Sequence, residues 1–294
     1  MPAAYLAIIV IWSTTPLAIK WSGEGTGFIV GVSTRMLIGA VICLLLIRVL
    51  RIEMPWHKQA RQAYLAGAMA VYGAILRVYW GAQYLSSGLL SVIFGLTPLM
   101  TGIIVVVLGT EQRPGPMRML GLAFALVGLL SIFGLKDAVG EAMVLGISGV
   151  LASVFLHSLS AVWLKQVAQG IPAMALTTGS LLISVPLYLL TWLLTGAELP
   201  NELPLRAGAS ILYLGVIGSV LVYAMYFYAL RHVSASKMAL VTLITPVTAL
   251  MLGQLLNNEQ IDTAVWTGTA MIMLGLSLHQ WGDRLRFKKL KYES

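Results

Sequence analysis

Gly73, Arg77, Trp80 and Tyr84 recur at i, i+4, i+7 and i+11, so a helix would carry them on one face. A small residue, a guanidinium and two rings on one stripe suit an amphipathic ligand, because the guanidinium fork matches a carboxylate. Arg35 is a second cation set inside an apolar run, and the two could hold one anionic group between them. The competing readings are structural. Arg35 would snorkel to an interface or bind helix-end carbonyls, and Trp80 and Tyr84 would belong to an aromatic belt.

Three further stripes carry polar or ring chemistry. Gly149, Ser153, His157 and Ser160 share a face, and His157 is the one histidine deep in an apolar run. An imidazole there could carry a proton, or rest as a neutral ring bonded to a serine. Ser219, Tyr223 and Tyr226 form another stripe, and their hydroxyls need protein or water as partners in an apolar medium. Trp12 and Thr15 share a face just before Pro16, whose ring frees the carbonyl of Trp12 from its helical bond. Pro98 and Pro246 would do the same for Phe94 and Thr242, which makes Pro16, Pro98 and Pro246 hinge candidates.

The chemistry that is missing narrows the class. All 11 Asp and Glu fall in loops or at helix ends, so a mid-membrane carboxylate relay is not expected. There is no H-E-x-x-H and no G-x-S-x-G, which leaves a hydrolase without machinery. No metal or cofactor is expected.

The elements that must position these residues follow from composition. Apolar residues make up 59% of the 294-residue chain and charged residues 10%, against roughly 25% charged in soluble domains. Mean hydropathy is +0.88, a membrane protein's value. A span needs ~20 residues. Apolar runs broken by Gly, Pro and charge predict ten, roughly 3–21, 28–50, 61–84, 88–109, 115–134, 142–165, 171–195, 207–230, 236–256 and 264–282. The first has no basic leader or cleavage site and is expected to be retained. Cys43 excludes an internal disulfide.

Charge sets the orientation. With both termini inside, the inner segments collect Arg48, Arg51, Lys58, Arg61, Arg113, Arg118, Lys165, Arg231, Lys237 and the tail Arg284, Arg286, Lys288, Lys289 and Lys291. The outer segments hold only Lys136 and Arg206. This is the positive-inside pattern. The net charge of +8 therefore implies contact with anionic lipid, not nucleic acid.

The chain also repeats itself. Ser86 to Glu111 reads SSGLLSVIFGLTPLMTGIIVVVLGTE, and Ser234 to Glu259 reads SASKMALVTLITPVTALMLGQLLNNE. Ser86, Thr97, Pro98 and Glu111 answer Ser234, Thr245, Pro246 and Glu259 at one offset of 148. After a one-residue slip, Gly121 and Gly128 answer Gly268 and Gly275. Five spans separate the copies, and five is odd, so the second copy is inverted. Inverted repeats are the usual build of secondary transporters.

On these residues the chain resembles the EamA-type transporters of the drug/metabolite superfamily. The resemblance is carried by IWSTTPLAIK (Ile11 to Lys20), the Arg-Met-Leu at Arg35, and the YLSSGLLSVIFGLTP block with its second copy. It implies an all-α polytopic membrane protein of ten transmembrane helices in two inverted five-helix repeats, N-in and C-in. It also implies a bacterial inner-membrane location, and export or exchange of small metabolites through a central cavity lined by helices one, three, four, six, eight and nine. Arg35, Glu111 and Glu259 then look structural, each Glu binding the N-terminus of the following helix.

The expected divisions are 1–137 and 138–283 for the repeats and 284–294 for a basic cytoplasmic tail. The expected cavity residues are Trp12, Thr15, Arg77, Trp80, Tyr84, Ser153, His157, Tyr223 and Tyr226. The expected cargo is an amino acid or a related zwitterion or anion. Multidrug or lipid-linked-sugar export, and a non-transporting scaffold or sensor, stay open. The expected partners are a small-molecule substrate and membrane lipid, and a homodimer is the association left open.

Overall fold

The computed structural model describes residues 2–108, 115–133, 140–232 and 235–292. Among the described residues there are ten helices and no strand, once pieces that follow one another directly are joined. They are α1 Pro2–Ser22, α2 Phe28–Val49, α3 (Lys58–Ala68, Met69–Ala74 and Ile75–Gly81) and α4 (Ser87–Phe94 and Thr97–Val107). Then come α5 Pro116–Phe133, α6 Glu141–Val167, α7 Ala173–Thr195, α8 (Leu205–Gly215, Val216–Leu221 and Val222–His232), α9 Ala235–Asn257 and α10 Thr263–Tyr292.

Among the described residues, five stretches are long and apolar enough to cross a membrane: Phe28–Val49, Ser87–Val107, Glu141–Val167, Ala173–Thr195 and Leu205–Ala229. At ~1.5 Å per residue, 22 residues make about 33 Å, the thickness of a hydrocarbon core. The protein is a membrane protein with many apolar helices.

Two helices differ from expectation. α10 continues as a helix to Tyr292, where the predicted helix ends near 282. Its Arg, Leu and Lys are strong helix formers, and no Pro intervenes. α4 breaks at Gly95–Leu96, one turn before Pro98. α9, by contrast, runs unbroken through Pro246. The matched hinges predicted from the two prolines are therefore not matched in the helices. Leu243 stands where α4 has Gly95, and Gly is the weaker helix residue. The ring of Pro246 itself sits 3.3 Å from where a Cβ on Gly95 would be.

The neighbours repeat with a five-helix shift. α1 packs on α8 and α9, and α6 packs on α3 and α4. α2 pairs with α7, α4 with α9, and α5 with α10. The α5–α10 pair explains the slipped glycines. A Cβ on Gly128 would stand 2.6 Å from the carbonyl of Gly268, and one on Gly275 would stand 2.5 Å from that of Gly121. Backbones this close tolerate only Gly, as at small-residue crossings in lipid.

One end of the bundle is tied by polar contacts. Arg206 pairs with Glu24 at 3.3 Å, Lys20 Nζ donates to the Leu85 carbonyl at 2.7 Å, and Trp21 Nε1 donates to Asn257 Oδ1 at 2.9 Å. The ends of α1, α3 and α9 therefore lie at the same end of the bundle as the starts of α4 and α8.

Candidate functional site

Trp12 on α1, Phe94 on α4, His157 on α6 and Tyr226 on α8 converge in the middle of the bundle. Their ring centroids are 5.5 Å apart for Trp12–Tyr226, 5.8 Å for His157–Tyr226 and 6.2 Å for Phe94–His157. Phe227 extends the cluster, tilted on Tyr226 and stacked on Tyr223. Contacts of this kind are worth about 0.5–1.5 kcal/mol each beyond area burial. In this conformation the rings fill the centre: Tyr223 and Tyr226 are buried, and Trp12, Phe94 and His157 half-buried.

Local sequence explains the convergence. Pro16 sits inside α1 one turn beyond Trp12. Thr15 Oγ1 donates back to Ile11 O at 2.6 Å, so its hydroxyl is spent on its own helix. The break in α4 falls just after Phe94, whose carbonyl accepts from Thr97 Oγ1 at 2.6 Å. The ring of Phe94 has no polar atom and no stripe of polar neighbours to mark it in the sequence, which singles out only its backbone, through Pro98. A weak internal match could have found the pairing of α1 with α6. WSTTPLAIK (Trp12 to Lys20) aligns with HSLSAVWLK (His157 to Lys165) at an offset of 145, setting Trp12 opposite His157.

The Arg77 stripe lies apart from these rings, along α6. A Cβ on Gly149 would stand 2.5 Å from the Trp80 ring, and one on Gly146 would stand 2.8 Å from Tyr84. Trp80 and Tyr84 meet edge to face at 5.6 Å. Arg77 is exposed, and Nη1 makes only a long 3.4 Å bond to Gly73 O of its own helix. Ser153, expected on a cavity wall, is fully buried, and its hydroxyl donates to Ala74 O of α3 at 2.7 Å. A serine deep between two helices donates to a carbonyl of the neighbouring helix instead of a ligand. Away from the rings, a side cleft of about 260 Å³ opens among Met69, Leu108, Leu159, Val162, Trp163 and Gln166.

Arg35 does not snorkel. It is 1% exposed, and its partners are neutral oxygens. Nε donates to Ser219 Oγ at 3.0 Å, Nη2 to Gly218 O at 3.0 Å, and Nη1 to Tyr79 OH at 3.4 Å. Carbonyl and hydroxyl dipoles take the place of a salt bridge around this guanidinium.

Glu259 corrects a second expectation. It binds α4, not the helix that comes after it. Its carboxylate accepts from Ser87 N at 3.0 Å, Ser87 Oγ at 2.9 Å and Gly88 N at 3.4 Å, with Asn257 Nδ2 at 3.0 Å as a fourth donor. α4 and α9 pack antiparallel, so the loop after α9 reaches the orphan N–H groups of α4 before it reaches those of α10. Glu111 lies outside the described residues.

Comparison with known proteins agrees with this architecture. The EamA-like transporter family matches over residues 2–134 and again over 144–279. The chain is 23% identical over 278 residues to YoaV, an uncharacterized transporter of Bacillus subtilis (strain 168), covering 93% of this chain and 94% of that one. It is 25% identical over 177 residues to a probable amino-acid metabolite efflux pump of Salmonella typhimurium, covering 58% and 59%. It is 22% identical over 284 residues to YedA, an uncharacterized inner membrane transporter of Escherichia coli (strain K12), covering 96% and 91%. A solved crystal structure superposes with a TM-score of 0.69 at 17% identity, covering 96% of both chains, which is a likeness of fold alone. These matches indicate a transporter rather than an enzyme. With two family matches spanning nearly its whole length, the chain belongs to the EamA-like transporter family.

Proposed function

We propose that the protein is a secondary transporter that exports or exchanges a small amphipathic metabolite, an amino acid or a related zwitterion or anion, by alternating access. The observation that carries this reading is the meeting of Trp12, Phe94, His157 and Tyr226, from four helices drawn from both halves of the chain. A ring cluster closed between two halves becomes a binding site when the halves part. The five-helix shift in the neighbour pattern supports ten spans in two inverted repeats, 1–137 and 138–283. The basic inner segments support N-in and C-in, and the likeness to YedA supports a bacterial inner membrane. The sequence places its carboxylates outside the expected spans, and with Arg77 exposed within α3 this favours neutral, zwitterionic or anionic cargo over organic cations. The name of the Salmonella relative points the same way.

Flux into proteoliposomes tests the reading. Tyr226→Ala is expected to cut uptake by roughly tenfold, the equivalent of one or two ring contacts. Arg77 lies apart from the rings in this conformation, so it serves the substrate only when the halves have parted; on that reading Arg77→Ala raises KM for carboxylate substrates by roughly 10- to 100-fold, the worth of a charge-assisted hydrogen bond. Uptake of every anionic and zwitterionic substrate unchanged in Arg77→Ala removes that residue from the site. Uptake unchanged in Tyr226→Ala sinks the central cluster.

A further inference from the structure

Two helices depart from α-geometry, and they do so at corresponding places. α3 is π-helical over Met69–Ala74, and α8 over Val216–Leu221. The repeat offset of 148 carries Met69 onto Ile217, so the segments coincide to within one residue. A π-segment holds one residue more than the α-turn it replaces, and it leaves carbonyls without the usual partner four residues on. Ile75 N bonds Ala70 O and Val222 N bonds Ile217 O, which frees Val71 O and Gly218 O, and side chains from other helices donate to carbonyls of both segments. On α3, Tyr188 OH of α7 donates to Val71 O at 2.8 Å, and Ser153 of α6 donates to Ala74 O. On α8, Arg35 of α2 holds Gly218 O and Ser219 Oγ together. Arg35 is thus a charged side chain, buried to 1% exposure, placed on a helix defect.

The ring chemistry lies just beyond each defect. Tyr223 and Tyr226 lie within two turns after the α8 segment, and Arg77 and Trp80 likewise after the α3 segment. If the extra residue migrates along the helix, every residue it passes turns by roughly 100° and slides by ~1.5 Å, while both helix ends stay in place. We infer that Arg35 is a positioning residue: by gripping Gly218 and Ser219 it parks the extra residue of α8 at Val216–Leu221 and so sets the direction in which Tyr223 and Tyr226 face the central cluster. Release of that grip passes the defect toward the C-terminus of α8 and turns Tyr226 away from Trp12 and His157. In a transporter this is a step between two access states, so the consequence for flux rests on the function proposed above, whereas the register change does not.

The test is a cysteine-accessibility scan of Val222–Tyr228 in the full-length protein in membrane vesicles, in a Cys43→Ala background. In the parent the reactive positions define one helical phase. Arg35→Gln is expected to move that phase by one residue, and Arg35→Lys, which keeps a donor, to leave most molecules in the parent phase. Deleting Ile217 takes out the extra residue. In the Arg35→Gln background the deletion is expected to restore the parent phase, which simple loss of a structural contact would not allow. Should Arg35→Gln fail to fold, Ser219→Ala removes one of the gripped oxygens at little steric cost and is expected to give a mixture of the two phases. An unmoved phase in a folded Arg35→Gln or Ser219→Ala protein, or no restoration by the deletion, overturns the inference. The scan needs no substrate. An unmoved phase with flux intact therefore rejects the role of Arg35 alone, and a moved phase without flux for any metabolite rejects the transport reading alone.

Discussion

Gly275→Leu is expected to yield little folded protein, and any that folds should unfold at a markedly lower temperature. A Cβ at this position would stand 2.5 Å from the carbonyl of Gly121 and 2.6 Å from the amide of Ala125. Both obstacles are backbone, so no rotamer change relieves them. Overpacking costs about 1–3 kcal/mol where side chains can shift, and more where two helices must separate. Helices in lipid gain little from burying apolar surface against one another, so close packing is the main source of their association. α5 packs chiefly on α10, so widening this crossing loosens its main attachment. Gly128→Leu should behave alike, since its Cβ would stand 2.6 Å from Gly268 O and 2.9 Å from the amide of Ile272. Gly140→Leu is the control, because nothing lies within 4 Å of a Cβ there. Thermal unfolding and monodispersity in detergent read the difference. Equal stability of Gly275→Leu and Gly140→Leu would contradict the close crossing.

Glu259→Ala is expected to destabilise the protein by about 2–3 kcal/mol, the scale of losing charge-assisted hydrogen bonds and a cap together. The carboxylate accepts from the amides of Ser87 and Gly88, which begin α4 and have no partner within the helix. A negative charge also suits the positive end of the helix dipole. Ser86 Oγ caps the same helix start by accepting from Leu89 N at 3.3 Å, so the loss falls on the amides of Ser87 and Gly88. Glu259→Gln keeps an acceptor but loses the charge, and should fall between the parent and Glu259→Ala. Hydrogen exchange at Ser87 and Gly88 localises the effect: faster exchange there, with slow exchange retained at the α5–α10 crossing, is the expected result. Exchange unchanged at both amides would show that Glu259 does not cap α4.

Some of this is legible from residue order. The doubled block marks Gly121, Gly128, Gly268 and Gly275 as special, and the crossing of α5 with α10 shows why. Residue order also marks Glu259 as structural, yet it points to the wrong partner helix. A carboxylate after a helix has two N-termini within reach of its loop, and sequence distance favours the nearer in chain while antiparallel packing favours the other. The stripe Gly73, Arg77, Trp80 and Tyr84 does run along one face, but that face meets α6, away from Trp12, His157 and Tyr226. Spacing along one helix says which residues share a side and nothing about what that side faces.

The sequence by itself determined the membrane class, the helical composition, the duplication and the family, because these depend on averages over many residues and on periodicity within single elements. Only the tertiary structure decided that Phe94 joins Trp12, His157 and Tyr226, that Ser153 and Arg35 spend their donors on π-segment carbonyls, and that Glu259 caps α4. The physical reason is common to all three. A π-segment adds a single residue and barely disturbs the 3.6-residue pattern, so it leaves no trace in hydropathy. The carbonyls it frees, the amides at a helix start and the centre of a bundle are satisfied by whichever side chain is near in space, and that nearness is set by how separate helices cross.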